Sequence, residues 1–520
     1  VASESFWRSL FGGGPPRFIN IPLDLPRPPG MPAGPDTVSA DIACMREKWE
    51  LIDLVTEGHD AVKNCGERFL PKFECETPEK HKRRLREAPW RPIFPDALES
   101  ITAKPFTSPV ALAGEPDARM KTFAEDVDGQ GNDLNVFARS IFDDAVSHGV
   151  ATFFVDFSRN IPRADGRSKT LAEEKGQGLR PFWVHIPAGN LIDVRTTFVK
   201  GREIVSHARW WERPIVADGF TESCIPHIRV VEIKDDGRVW WTLWQQQADG
   251  NFAQTDSGVL SAVTEVPFVR IFTGKRKGAI ENRPWSYGLA IMALEYFRAL
   301  ARQTEIENLS GWPILAGQGL TKPTGEAEVQ MGPHTVLYAP SMEGNAKWEL
   351  LGPDASLVEQ IGKGPERVLD VFSKLAMEPT IPKAGVTATA AGVDNSRAHS
   401  AIEAWALALK NGLDEGLAYT AQWLGVADTA TANVATDFAV LGGNGAAEAQ
   451  VLASAQTRGV ISAETERAEL KRRSILGPEF DEEAEIVRIA SEREGLEPEF
   501  QIDPVTGQPI DPANSRSALQ

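Results

Sequence analysis

The chain has 520 residues, 42% hydrophobic and 25% charged, the balance of a folded globular protein with length for more than one domain. Its 73 Asp and Glu against 55 Lys and Arg leave a formal net charge of -18. That argues against a protein that coats nucleic acid, which needs basic surface to displace counterions from phosphate. It leaves open a protein that lets DNA pass without sticking.

The four cysteines, Cys44, Cys65, Cys75 and Cys224, form no CxxC pair. A zinc knuckle or thioredoxin-like site is therefore not expected, and a reducing compartment is. The N-terminal VASESFWRSLFGGGPPRF has no continuous apolar core of a signal peptide, and no apolar run reaches the ~20 residues of a membrane span.

In chain order, residues 1–37 are rich in Pro and Gly and read as an arm. A helical pattern follows from Ala40 to about Arg68, with Met45, Trp49, Ile52 and Val55 near one face. Residues 79–87 read as a short basic helix, ended by the prolines at 89, 92 and 95. Asp126, Asp128 and Gly131 imitate the start of a calcium loop, but Phe137 stands where a bidentate Glu is needed. A turn is expected there instead, with Asp133 capping a helix that carries Leu134, Phe137, Ala138, Ile141, Phe142, Ala145 and Val146 on one face and ends at Gly149. Val150–Phe157 reads as a buried strand. A polar loop at 158–180 precedes a strand-rich, Trp-rich stretch from Phe182 to Thr273, with hairpin turns DDGR (235–238) and ADGN (248–251).

Helical periodicity resumes at about Ser286 and runs to about Leu309. A β-like insert follows through PILAG, HTVLYAP and KWELL, then two helical pieces, Ala355–Ile361 and Pro365–Ala376, split by Gly362, Gly364 and Pro365. The stretch TIPKAGVTATAAGVDNS carries little charge and reads as a loop before a long helix from about Ser396 to Leu424. Gly412 and Gly416 are possible bend points in that helix. Residues 445–495 read as three short helices, with Ser462 as an N-cap and Glu464 and Glu466 in the first turn. The last residues, 496–520, read as a polar tail.

The motifs of common enzymes are missing: no GxxxxGK[ST], no HExxH and no GxSxG occurs. The acid pairs Asp143–Asp144 and Glu482–Glu483 fall on helix surfaces, where solvation explains them. No catalytic residue, metal site or cofactor is expected. Three basic clusters, Lys80 to Arg86, Lys275 to Lys277 and Lys471 to Arg473, are ordinary helix or turn surface, or contacts to nucleic acid or to an acidic partner protein.

Several stretches, in order over roughly 40–495, resemble the portal proteins of tailed bacteriophages, in the group described by the domain of unknown function DUF4055. They are WELIDLVTEGHDAVKNCGERFLPKFE, FARSIFDDAVSHGVATFFVDF, RPFWVHIPAGNLIDVR, PWSYGLAIMALEYFRALARQTEIENLSGWPILAGQG, LAMEPTIPKAGVTATAAGV and RGVISAETERAELKRR. The resemblance implies an α+β portal fold in a virion protein made in the bacterial cytoplasm. It implies a self-closing ring of roughly twelve copies at one capsid vertex, which conducts double-stranded DNA and meets the major capsid protein, the terminase large subunit and a head-tail adaptor. No membrane contact is expected. The parts would be an arm (1–37), a wing (38–285), a stem helix (286–309), a clip (310–352), a second stem helix (353–377), a tunnel loop (378–396), a long bent wing helix with a return segment (397–444), a crown (445–495) and a tail (496–520). Lys383, Thr387, Thr389, Asn395 and Arg397 would face DNA in the channel, and Lys471, Arg472 and Arg473 of the crown would approach packaged DNA. The alternative is another head or tail adaptor, or a minor capsid protein, without a DNA channel.

Overall fold

In the computed structural model the described residues are 34–74, 76–158, 179–218, 220–247, 250–311, 314–318, 336–339, 347–351, 355–376, 388–427, 430–436, 445–472, 476 and 484–489. They form an α+β chain with two compact units, Val1–Thr436 and Asp437–Gln520.

The first unit opens with helices α1 (Ala40–Glu57) and α2 (His59–Asn64), separated at Gly58. Its φ of 89° is one that L side chains rarely adopt, so the chain turns there. Ile42, Met45, Trp49, Ile52 and Val55 of α1 are buried, as their spacing predicts. Then come α3 (Pro78–Glu87), α4 (Ile93–Thr102), strand β1 (Ala111–Leu112), α5 (Ala118–Glu125) and α6 (Leu134–His148). Thr77 caps α3 and Pro78 stands at its first position. The calcium-like segment is a turn: Asp126 Oδ1 accepts from the Gly129 and Gly131 amides at 2.8 and 3.0 Å. The Asp133 side chain caps α6 through the Val136 amide at 2.8 Å, and Gly149 ends it with φ 78°.

Strands β2 (Val150–Phe157) and β3 (Pro181–Ile186) follow, then β4 (Leu191–Val199), β5 (Arg202–Glu212), β6 (Ile215–Asp218), β7 (Thr221–Cys224), β8 (His227–Ile233), β9 (Val239–Gln246), β10 (Phe252–Leu260), β11 (Phe268–Phe272), β12 (Lys275–Arg276) and β13 (Asn282–Arg283). One sheet has the order β11-β2-β3 and another β10-β9-β8-β5-β4, with antiparallel neighbours throughout. The DDGR hairpin joins β8 to β9, where Asp236 accepts from the Arg238 amide at 3.0 Å. Trp210 of β5 packs on Phe154 of β2 and Phe268 of β11, at centroid distances of 5.2 and 5.8 Å. The two sheets therefore share an aromatic core.

Helix α7 (Trp285–Gly311) leads to strands β14 (Ile314–Gln318), β15 (Val336–Ala339) and β16 (Lys347–Leu351), and α8 (Ala355–Leu375) follows. The three strands form a small sheet of order β15-β14-β16, with β14 parallel to β15 and antiparallel to β16. The expected β insert is present. The two helical pieces are not: α8 is one continuous helix with Pro365 inside it. An interior Pro costs ~3 kcal/mol. Burying side chains such as Phe372 returns ~1.5–3 kcal/mol each. Pro365, Phe372 and Ala376 are buried, and Phe372 and Ala376 share a core cluster with Leu289, Ala293 and Phe297 of α7. Packing outweighs the local break.

Helix α9 (Ala388–Leu424) is also longer than the sequence suggests. It starts at Ala388 rather than about Ser396, because Ala388, Ala390 and Ala391 extend it cheaply. Ile402, Ala406, Leu409, Leu413, Leu417 and Ala421 are buried. Gly412 and Gly416, expected as bend points, lie inside the helix. At 416 an added Cβ would lie 2.7 Å from the Phe153 ring, so the glycine lets α9 lie close to the sheet. Strand β17 (Ala432–Asn433) pairs with β1.

The second unit contains α10 (Gly445–Thr457), α11 (Ala463–Arg472) and a helical stretch at 484–489. The three short helices expected at 445–495 are there. Ser462 Oγ accepts from the Thr465 amide at 3.1 Å, with Glu464 and Glu466 in the first turn.

Candidate functional site

Helices, sheets and loops of the first unit bring charged groups together in three places that no motif announces. The first joins α1, α6 and β3. His148 lies between two carboxylates, with its Nδ1 2.5 Å from Asp144 Oδ1 and its Nε2 2.8 Å from Asp53 Oδ1. His185 Nε2 meets the other oxygen of Asp144 at 2.9 Å. Burial opposes protonation of His148, but the Asp144 charge and the hydrogen bonds to Asp144 and Asp53 outweigh it and raise its pKa to about 10. Burial likewise pushes the Asp144 carboxyl up, yet the charges and hydrogen bonds of His148 and His185 hold it well below the ordinary carboxylate range. The expected solvated acid pair is corrected here. Asp144 is tied into a network, and burial raises the pKa of Asp143. Both nitrogens of His148 are engaged, so the cluster fastens α6 to α1 and β3.

In the second place Arg229 of β8 donates from Nε to Glu212 at 2.6 Å and from Nη1 to Asp156 at 3.0 Å. Trp210 Nε1 donates to the same Glu212 at 3.2 Å. This pairing ties β2, β5 and β8 together. Arg229, Glu212 and Trp210 are buried, and the Asp156 side chain is 15% exposed.

The third is a cavity of about 470 Å³ lined by Arg202, Glu203, Glu265, Arg270, Arg276 and Tyr419, among others. Arg276 holds Glu203 at 2.5 Å. Arg202 reaches Glu265 at 3.5 Å and Glu415 at 3.8 Å. Burial raises the pKa of Glu415 and that of Tyr419. Three arginines face three glutamates, so the cavity has no marked sign for one kind of ion. Its residues come from segments more than two hundred positions apart, which is why no local signal could have found it. Among the described residues no group of three or more His, Cys, Asp or Glu is arranged to hold a metal ion.

The helix pair α7–α8 offers a different kind of surface. A groove of about 500 Å³ lies between them and α3, lined by Ala299, Ile306, Ile361, Gly364, Pro365 and Val368, with Glu295, Arg302 and Glu305 along its α7 wall and Phe73, just before α3, and Arg84 on its third side. Ile291 of α7 and Val371 and Leu375 of α8 are about half exposed, at 45%, 49% and 52%.

The residues expected in the channel are placed as follows. Lys383 and Thr387 lie outside the described residues. Thr389 and Asn395, expected in the tunnel loop at 378–396, stand instead in the opening turns of α9, and Arg397 lies beyond them in the same helix. The loop expectation is thus corrected for 388–396, where the alanine-rich sequence continues the helix. Lys471 and Arg472 close α11, and Arg473 lies outside the described residues. The basic stretch 80–86 is partly structural. Arg84 is buried against Glu76 at 2.7 Å and Pro71 O at 2.8 Å, and His81 Nε2 is 2.8 Å from Leu70 O. Arg276 and Lys277 pair with Glu203 and Glu281. No helix among the described residues is long and apolar enough to cross a membrane.

Residues 287–424 match the family described as Domain of unknown function (DUF4055), which spans α7, the small sheet, α8 and α9. Among curated proteins none matches the chain. Solved structures similar to it include a chain of the virion of a native gene transfer agent particle, at 12% identity and a TM-score of 0.37, covering 73% of this chain and 90% of that one. A chain of the neck of the native particle, computed with C12 symmetry, has 11% identity and the same TM-score, covering 73% of this chain and 89% of that one. Similarity of that size carries no functional conclusion.

Proposed function

We propose that this chain is the repeating subunit of a portal-type ring at one vertex of a tailed-phage capsid. It conducts double-stranded DNA and docks the packaging motor and the head-tail adaptor. It performs no catalysis of its own. The sequence resemblance supports this reading, and one structural observation carries it: the run α7, small sheet, α8, α9. Two helices joined by a small sheet pack against each other and against the core, yet keep half-exposed apolar side chains along their length. A subunit that works alone gains nothing from leaving that surface in water, whereas a ring subunit covers it with the next copy.

The acidic total fits a channel lining. Net negative charge raises the energy of phosphate in a pore and prevents deep binding wells. The segment proposed to face DNA now runs from 378 to 387, continued by the first turns of α9, and carries Lys383 and Thr387.

The reading is tested on the purified full-length chain by size-exclusion chromatography with light scattering and by negative-stain imaging. A closed ring with an axial hole is expected. A stable monomer at micromolar concentration overturns the reading.

A further inference from the structure

The helix pair α7–α8 changes character part-way along its length. The buried positions of α8 are Pro365, Phe372 and Ala376, and those of α7 run from Ser286 to Ala301. Phe372 and Ala376 share a core cluster with Leu289, Ala293, Phe297 and Ala301. Beyond that level, at 302–308 of α7 and 356–364 of α8, no described residue of either helix is buried. One half of the pair is fixed by the core, and the other half is held without buried side chains.

The change coincides with a weak stretch in one of the two helices. Gly362, Lys363, Gly364 and Pro365 follow one another inside α8. Pro365 has no N–H to give the Ile361 carbonyl, so one rung of the helix ladder is missing. A Cβ at Gly362 or at Gly364 would meet nothing within 4 Å. Unlike Gly416, neither glycine allows a close approach, so its cost to the helix is not offset by packing. Helix α7 has no Gly or Pro from 289 to 308. Of the two helices that carry the small sheet, one is an unbroken strut and the other has a weak point. The groove supplies room at the same level, with Arg302 and Ile306 on its α7 side and Ile361, Gly364 and Val368 on its α8 side. Lys363 is tied to Glu359 of its own helix at 2.6 Å, and that pair does not fasten α8 to α7.

We propose that residues 361–365 form a joint in α8, about which its outer half, 355–360, and strand β16 ahead of it tilt across the groove against the unbroken α7. The inner half of α8 stays on the core. A few residues at the end of the packed stretch absorb the backbone change, as in a hinge. The small sheet can then shift in angle without disturbing the packing around Phe372. The device is built within one subunit and goes beyond the ring reading.

The test measures distances by double electron–electron resonance between nitroxides at two exposed positions, Lys347 of β16 and Glu99 of α4, in the full-length chain. The native cysteines are first replaced by alanine, and labelled chains are diluted with unlabelled ones, so that only distances within a copy are read. The unaltered joint is expected to give a broad or two-peaked distribution. Gly362→Ala with Gly364→Ala is expected to narrow it to about half the width, since each alanine favours the local helix about four- to fivefold. Adding Pro365→Ala restores the missing N–H and is expected to narrow it further. The glycine variant leaves the buried Pro365 in place, so it stays informative if the proline variant misfolds, which circular dichroism melts detect. A distribution as narrow with the unaltered joint as in the variants overturns the proposal. A broad distribution that neither variant narrows puts the motion outside α8 and overturns it as well. Either result leaves the ring reading standing, because that reading is decided by assembly alone.

Discussion

Arg229 and Val371 belong to the same unit and are treated in opposite ways. The guanidinium of Arg229 is enclosed among three strands, with Glu212 and Asp156 taking its hydrogen bonds. The apolar side chain of Val371 is left half in water on α8. In the sheet core an expensive polar group is brought inside and satisfied. On the helix pair a cheap apolar group that could be buried is left outside. The first pattern belongs to a part that completes itself, and the second to a part whose completion lies in another molecule.

The comparison breaks most visibly at Arg229. Replacing it with Met, which keeps much of the volume, leaves Glu212 and Asp156 buried without their cation. Removing one partner from a buried pair costs ~3–5 kcal/mol. Urea unfolding of the Arg229→Met variant is expected to show a loss of that size. A loss below ~1 kcal/mol would mean that the cluster is open to water and the core less closed than its geometry indicates.

A pH-dependent effect is expected at His148. Its pKa in the folded chain is raised to about 10, against ~6.5 for the ordinary imidazole of an unfolded chain. Below ~6.5 both states hold the proton, and the cluster contributes fully. As pH rises from there toward about 10, the unfolded chain has released its proton and the folded chain still keeps it. Stability then falls, by up to ~1.4 kcal/mol per pH unit. Asp53 and Asp144 are the groups that touch the ring, His185 holds the other oxygen of Asp144, and Asp143 adds a nearby charge. At the acid end the depressed Asp144 carboxyl works the other way, and its contribution is lost as pH falls below the ordinary carboxylate range. Unfolding midpoints of the wild type and of His148→Gln, taken at steps from pH 6.5 to 10, measure the slope. The variant should be the flatter of the two, and equal slopes would rule the cluster out as the cause.

The same contrast marks what was legible in the sequence. Periodic elements were readable because their spacing reports burial directly. The α1 stripe from Met45 to Val55, the α6 face and the Asp133 cap all stand where the pattern puts them. Departures came where tertiary contacts overrule local preference. Pro365 reads as a helix start, but Phe372 and Ala376 hold α8 straight through it against α7. Gly416 reads as a hinge, but the Phe153 ring needs its missing Cβ. The charged clusters were invisible for another reason. Asp53 and His148 are 95 positions apart, and Arg229 and Asp156 are 73 apart. Nothing in either neighbourhood distinguishes such residues from a solvated surface. The weak stretch of α8 lies between these cases. Gly362, Gly364 and Pro365 are in the sequence, but that burial on the helix pair stops beside them is visible only in three dimensions.

The smallest effect is the sharpest for the comparison. Val371→Asp places a charge at a half-exposed site on α8, where the carboxylate can stay in water. The stability of the isolated subunit should change by no more than ~0.5 kcal/mol, as for surface substitutions away from packed features. The measurement is chemical unfolding at a protein concentration low enough to keep the chain monomeric. A loss of several kcal/mol there would mean that Val371 already belongs to the subunit's own core, and α8 would have no apolar strip to offer. A near-zero change, beside a large loss for Arg229→Met, would separate residues that hold the subunit together from residues held back for the contact between copies.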